Sequence, residues 1–165
     1  LMERAFAAKN PDNIAENYAI RGRAKAVAGD YEAALADSNH AVELDATNIY
    51  NFLNRADVYR MMGEREKALA DLEKSQEIDA KNPYIYKMRG EIYNEMGEKE
   101  AALAAYKEYW KQAPNASDIP DEYMQEVDAA AYDKIVKERE KKEQEKKEKE
   151  AAKKDASENK MGEKP

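Results

Sequence analysis

From Phe52 the apolar positions step by four and then three, through Ala56 and Tyr59, the spacing of one helical face. Gly63 breaks the pattern. A second stripe runs through Ala68, Leu69, Leu72, Ser75 and Ile78, with charged residues between. The two stripes predict two helices joined by a tight turn. The unit recurs 34 residues to either side: Gly29, Gly63 and Gly97 keep that interval, as do Ala34-Leu35, Ala68-Leu69 and Ala102-Leu103. An aromatic repeats as Tyr18, Phe52 and Tyr86, and an arginine with a tiny neighbour as Arg21-Gly22, Arg55-Ala56 and Arg89-Gly90. Agreement in so many registers makes an internal repeat, with units at 15–48, 49–82 and 83–116.

The repeat decides what the glycines do. A glycine at the mouth of a helix serves either a phosphate or a turn. A phosphate loop needs a preceding strand, several backbone donors and usually a lysine beside a serine or threonine. Gly63 has helical sequence on both sides, so it is expected to end the first helix in the left-handed region. Gly22, Ala56 and Gly90 fall mid-helix, where glycine costs ~1 kcal/mol against alanine. Close approach of a neighbouring helix is expected there, with Ala34, Ala68 and Ala102 making the matching contact.

These positions resemble the tetratricopeptide repeat, a helix-turn-helix unit of the same length. Tyr18, Phe52 and Tyr86 take its first aromatic place, and Tyr59 and Tyr93 its tyrosine. Ala34, Ala68 and Ala102 match its alanine, Leu72 and Tyr106 its second large apolar place, and Pro114 its closing proline. The resemblance covers about residues 15–116. It implies an all-α fold, a right-handed superhelical solenoid of helix-turn-helix repeats with a C-terminal capping helix.

The departures carry expectations of their own. Lys25 replaces the tyrosine and Ser38 the second aromatic, so the first unit should have a thinner core. Ala46 and Ala80 replace the proline, which would let the second helices run further. Arginines fill the leucine place. Asp37 and Asp71 follow Arg21 and Arg55 by sixteen residues, where antiparallel packing would form ion pairs within each unit. Such pairs specify register more than they add stability. Ala105 denies Arg89 this partner, leaving it solvated or paired with another acid.

The ends read differently. Residues 1–14 resemble a partial repeat or an N-terminal cap, covering the face that a solenoid end exposes. Over 117–136, Pro120, Asp121 and Glu122 suit a helix start. Tyr123, Val127, Ala130, Ala131 and Ile135 continue at helical spacing, so one capping helix is expected through Ile135 or Val136. Residues 137–165 lose the apolar stripe and hold eleven basic and nine acidic residues, a net of +2. Glu138–Lys142, Glu143–Lys147, Glu145–Lys149 and Glu150–Lys154 have the favourable i,i+4 order, each worth ~0.2–0.5 kcal/mol. A solvated helix to about Lys154 and then disorder is expected.

Composition narrows the chemistry. The 165 residues are 42% hydrophobic and 38% charged, with net charge −7. That charge argues against binding the phosphate backbone of nucleic acid, and the tail interleaves its lysines with glutamates. There is no cysteine, so disulfides, thiolate metal sites and a cysteine nucleophile are excluded. His40 is the one histidine and is expected to be exposed rather than functional. Nucleotide, zinc and calcium motifs are absent. No enzyme activity, no cofactor and no metal are expected. No apolar run reaches the ~18 residues of a membrane helix. Leu1 opens the chain, as in a processed chain or an excerpt, so the compartment stays open.

The remaining candidate site is the concave surface that the resemblance implies, where first helices of successive units line a groove for an extended peptide or a partner helix. Carried onto this chain, that set is Ala19, Arg23 and Val27; Tyr50, Leu53, Asn54, Asp57 and Met61; and Tyr84, Lys87, Met88 and Glu91. Tyr50 and Tyr84 would stand side by side; packing between helices is the competing reading. Co-chaperone members of the family grip a terminal carboxylate with two asparagines and basic residues. Those places fall on Ala19, Arg23, Asn54, Tyr84 and Met88, where only Asn54 matches, so such a clamp is not expected. The expected function is a non-catalytic protein-interaction scaffold with another protein as partner. The alternative is homotypic assembly, a weak homo-oligomer using the solenoid ends and terminal helix.

Overall fold

Each repeat folds as two helices of nearly equal length. In the computed structural model, which describes residues 14–162 and side chains through residue 152, they are α1 (Ile14–Val27) with α2 (Tyr31–Leu44), α3 (Ile49–Met61) with α4 (Arg65–Ile78), and α5 (Pro83–Met96) with α6 (Lys99–Gln112). No strand occurs among the described residues. Each helix packs on its partner, α1 on α3, α3 on α5, α2 on α3 and α4 on α5, so the pairs stack in sequence. Residues 1–13, expected to form a partial repeat or a cap, lie outside the described residues.

The turn glycines behave as their spacing requires. Gly29, Gly63 and Gly97 have φ of 85°, 80° and 77°. At the second turn Gly63 N–H donates to Arg60 O at 2.9 Å and Glu64 N–H to Tyr59 O at 2.9 Å. This closes the last turn of α3 as a Schellman motif.

The mid-helix residues mark close approach: Gly22 meets the expected Ala34 together with Ser38, while the atoms nearest Gly90 belong to Tyr106. A Cβ on Gly90 would lie 2.5 Å from the Tyr106 ring, and one on Gly22 would meet Ser38 Oγ at 2.6 Å and Ala34 O at 2.8 Å. Tyr106 and Ser38 share one repeat position, and Leu72, at the same position in the second unit, joins Ala56 and Ala68 in one buried cluster. The tiny residue therefore receives the second large apolar place of the following helix. Ala34, Ala68 and Ala102 are fully buried. In the first unit Ser38 fills that place, donating to Ala34 O at 2.9 Å, and Lys25 turns its Nζ onto Asp37 at 2.8 Å.

The paired arginines form as their spacing suggests. Arg21 holds Asp37 through Nε and Nη2 at 2.7 Å each, and Arg55 holds Asp71 in the same way. Both guanidinium groups also lie over aromatic rings, Arg21 over Tyr18 at 4.8 Å and Arg55 over Phe52 at 5.6 Å. Burial pushes the Asp37 carboxyl up, but hydrogen bonds from Arg21 and Lys25 outweigh it and hold the pKa below the usual value. Arg89 is neither simply solvated nor paired with an acid: Nη1 donates to the Gln76 side-chain oxygen at 2.6 Å.

The missing prolines do not lengthen the second helices. α2 and α4 stop at Leu44 and Ile78, the places equivalent to Gln112, where α6 stops before Pro114. Side chains end them instead. Asp45 accepts from Thr47 N–H and Oγ1–H at 3.0 and 2.7 Å, and Asp79 from Lys81 N–H at 3.0 Å. Buried Asn51 donates to Ala41 O and Asp45 O at 3.1 and 2.8 Å, tying the end of α2 to α3.

A second unit begins at Pro120. The single helix expected to reach Ile135 is broken. α7 (Asp121–Val127) ends at Asp128, whose carboxylate accepts from Ala131 N–H at 2.9 Å and starts α8 (Ala129–Gly162). α8 continues past Lys154, where disorder was expected. Its charge pairs run in both directions: Glu143–Lys147 forms at 2.7 Å, while Lys141–Glu145 and Lys146–Glu150 take the reverse order. No helix among the described residues is long and apolar enough to cross a membrane.

Candidate functional site

Two asparagines one repeat apart position the groove. Asn48 and Asn82 cap α3 and α5 by accepting from Tyr50 N–H and Tyr84 N–H, each at 3.0 Å. Such a cap fixes the first turn, so both tyrosines leave their helices from equivalent places. They stay in solvent rather than packing between helices: Tyr50 is 54% exposed and Tyr84 58%.

Both line a concave pocket of about 540 Å³. Its other walls are Arg23, Leu53, Asn54 and Asp57 from α1 and α3, and Lys87, Met88 and Glu91 from α5. Nine of the ten principal residues expected for the groove thus come together. Met61 does not join them; it packs against the cluster of Ala26, Ala34 and Val58. Ala19 is fully buried, and Val27 is exposed outside the pocket.

Arg60 takes a place that the sequence reading missed. It stands three residues after Asp57 on α3, one turn along the same face, and that spacing was legible. The groove charges neutralise one another. Arg23 Nε donates to Asp57 Oδ2 at 2.8 Å. Arg60 donates to Asp57 Oδ1 at 3.1 Å and Glu95 Oε1 at 2.8 Å. Lys87 Nζ pairs with Asp118 at 2.6 Å, and the Tyr109 hydroxyl donates to the other oxygen of Asp118 at 2.9 Å. Asp118 belongs to the loop after α6, and no periodicity pointed to it.

The titration behaviour follows these contacts. The hydrogen bond to Asp118 raises the Lys87 pKa against the pull of burial. Burial pushes Asp118 up, but Lys87 and Tyr109 overcome it and leave its carboxyl below the usual range. Tyr109 is pushed up to about 12 by burial and by its bond to Asp118. Burial raises Glu91 although Arg60 and Lys87 lie 3.7 and 3.9 Å away. Asn54 is already committed, donating to Tyr50 O at 2.8 Å. His40 is exposed as expected and meets Tyr18 edge-on at 4.5 Å. Among the described residues no group of three histidines or carboxylates could hold a metal. The groove offers two aromatic faces, apolar ground from Leu53 and Met88, and a balanced set of fixed charges.

Comparison with known proteins places this architecture. Residues 50–82 and 84–115 match the tetratricopeptide repeat family model, the second and third units here. The fold is similar to the first TPR domain of human RPAP3, with TM-score 0.63 and 18% identity over 74% of this chain and 97% of that one. It is also similar to the first TPR of Spaghetti (RPAP3) bound to the HSP90 peptide SRMEEVD, with TM-score 0.62 and 19% identity over 72% and 93%. The Arabidopsis OM64 TPR domain gives TM-score 0.57 and 23% identity over 64% and 88%. No curated protein matches the sequence. A 34-residue period carried through three stacked helix pairs, with its turn glycines left-handed and its tiny residues at the helix contacts, is the tetratricopeptide repeat architecture, and the family model identifies the second and third units as such repeats.

Proposed function

We propose that the chain is a non-catalytic protein-interaction scaffold whose concave groove holds an extended peptide or a helix of a partner protein. The observation that carries this reading is the pair Tyr50 and Tyr84, half-exposed in one pocket above buried Leu53 and Asp57. An aromatic left in water on a rigid helix costs little entropy to immobilise and brings a large contact area, which is the property of binding hot spots. With one histidine and no cysteine in the chain, nucleophile–histidine chemistry has almost no material.

The partner differs in kind from the acidic peptide bound to Spaghetti. Ala19 is buried, Asn54 donates to its own helix, and Arg23, Arg60 and Lys87 each already hold a carboxylate. A terminal carboxylate entering here would have to displace one of these internal acids. SRMEEVD is therefore expected to bind weakly or not at all in a fluorescence-anisotropy titration.

Selection from a random peptide library, followed by amide-shift mapping with the recovered peptide, tests the groove. Shifts are expected to gather at Tyr50, Asn54, Tyr84, Lys87 and Glu91. Shifts confined to α2, α4 or α6 would reject it.

A further inference from the structure

Three arginines share one register of the repeat, and two of them display what that register holds. Arg21 and Arg55 each clasp a buried aspartate with Nε and Nη2, all four bonds at 2.7 Å. In the third unit buried Ala105 stands at the aspartate's position. Arg89 keeps its other bond. Its Nη1 donates to Gln76 of the preceding unit at 2.6 Å, as Arg55 Nη1 donates to Asn39 of the preceding unit at 3.1 Å. The Nε–Nη2 edge of Arg89 has no acceptor among the described residues.

That side chain lines an open pocket of about 520 Å³, between the rings of Tyr86 and Tyr93 and the small side chains of Ala104 and Ala105. Arg89 precedes groove-lining Glu91 by two residues, about 200° around α5. The pocket is therefore separate from the concave groove.

We infer that this pocket is a second docking site, which takes a single aspartate or glutamate side chain from a partner protein, clasped by Nε and Nη2 of Arg89 where the repeat lacks its own carboxylate. The planar fork matches a carboxylate and no other common side chain bidentately. The walls narrow the occupant further. Glu73 and Glu108 stand in the lining, neither in ion-pair reach of Arg89, and Glu108 is engaged with Lys111. With a net charge of −7 behind them, they repel a polyacidic segment. They admit one carboxylate set among apolar residues, which the tyrosine rings and alanines would cover.

Arginine Nε–Hε resonances of the full chain test this, with Arg21 and Arg55 as internal standards for the clasped state. Acetate titrated against chloride at fixed ionic strength should move the Arg89 signal toward those two and leave them still. The capped peptide acetyl-LADLA-amide should do so at lower concentration, and its asparagine counterpart about tenfold less effectively. Ala105→Asp supplies the carboxylate in place, so it should shift Arg89 without any ligand and abolish the acetate response. An Arg89 signal in the wild-type chain that acetate and the aspartate peptide leave unmoved would overturn the proposal, whatever Ala105→Asp does to folding. So would equal responses to the aspartate and asparagine peptides.

Discussion

At the scale of single residues, two kinds of glycine obey opposite constraints, and substitution separates them. Gly63 has open space around a Cβ but a φ of 80°, so Gly63→Ala should cost about 1–2 kcal/mol through the dihedral alone. Asparagine, which tolerates that region, should cost less. Gly90 has ordinary helical dihedrals and no space, since its Cβ would lie 2.5 Å from a fully buried ring. Gly90→Ala should therefore destabilise by about 1–3 kcal/mol through overpacking, where an exposed helix would gain ~1 kcal/mol. Urea denaturation midpoints measure both. The arginine register gives a parallel contrast. Arg55→Met strands the buried Asp71 carboxylate and should cost about 3 kcal/mol; Arg89→Met, which strands no carboxylate, should cost under ~1 kcal/mol. The periodicity made these positions legible. It did not give the partner of Gly90, because a helical stripe says which face is buried and not which side chain of the next helix fills a gap.

At the scale of helices, each pair was legible in the sequence and some of the helix ends were not. Turn glycines were legible because a left-handed residue between two stripes has few substitutes. The ends of α2 and α4 were not, because the stop is made by Asp45 and Asp79 bonding the backbone two residues on and by Asn51 reaching across from α3. Those are tertiary and turn contacts that no apolar period records. The break at Asp128 was hidden for the same reason, since Val127 and Ala130 keep the stripe across it. Since α4 already ends where α6 ends, Ala80→Pro should be accepted and should stabilise the chain by about 0.4–1 kcal/mol through the unfolded state. The Tyr86 hydroxyl can still donate to the residue 80 carbonyl, 2.7 Å away. A rise in melting temperature is the expected result. Asn51→Ala removes a buried donor from two carbonyls and should cost about 1–3 kcal/mol by the same measurement.

At the scale of the whole molecule, the internal ion pairs set a pH dependence with two signs. Asp37 and Asp118 have folded pKa values below 3.8. The stability they bring is complete above that value and is lost as pH falls through their folded pKa. Glu91 lies above 4.5 in the folded chain, so its contribution is present below 4.5 and lost as pH rises through its folded pKa. Asp37→Asn should flatten the acid limb of a stability–pH curve, and Glu91→Gln should raise stability at neutral pH. Homotypic assembly is read by light scattering, where a scaffold acting alone gives a concentration-independent mass near 18.8 kDa. The groove was largely legible because the repeat fixes which face of each first helix is free; Asp118 was not, because a loop has no period. The central claim is that this face holds a partner's chain, and titration calorimetry with a library-selected peptide addresses it most directly. Tyr50→Ala with Tyr84→Ala should weaken binding at least about tenfold, while Tyr31→Ala, exposed outside the groove, should leave it unchanged. Equal affinity of the wild-type chain and the double variant would contradict the account.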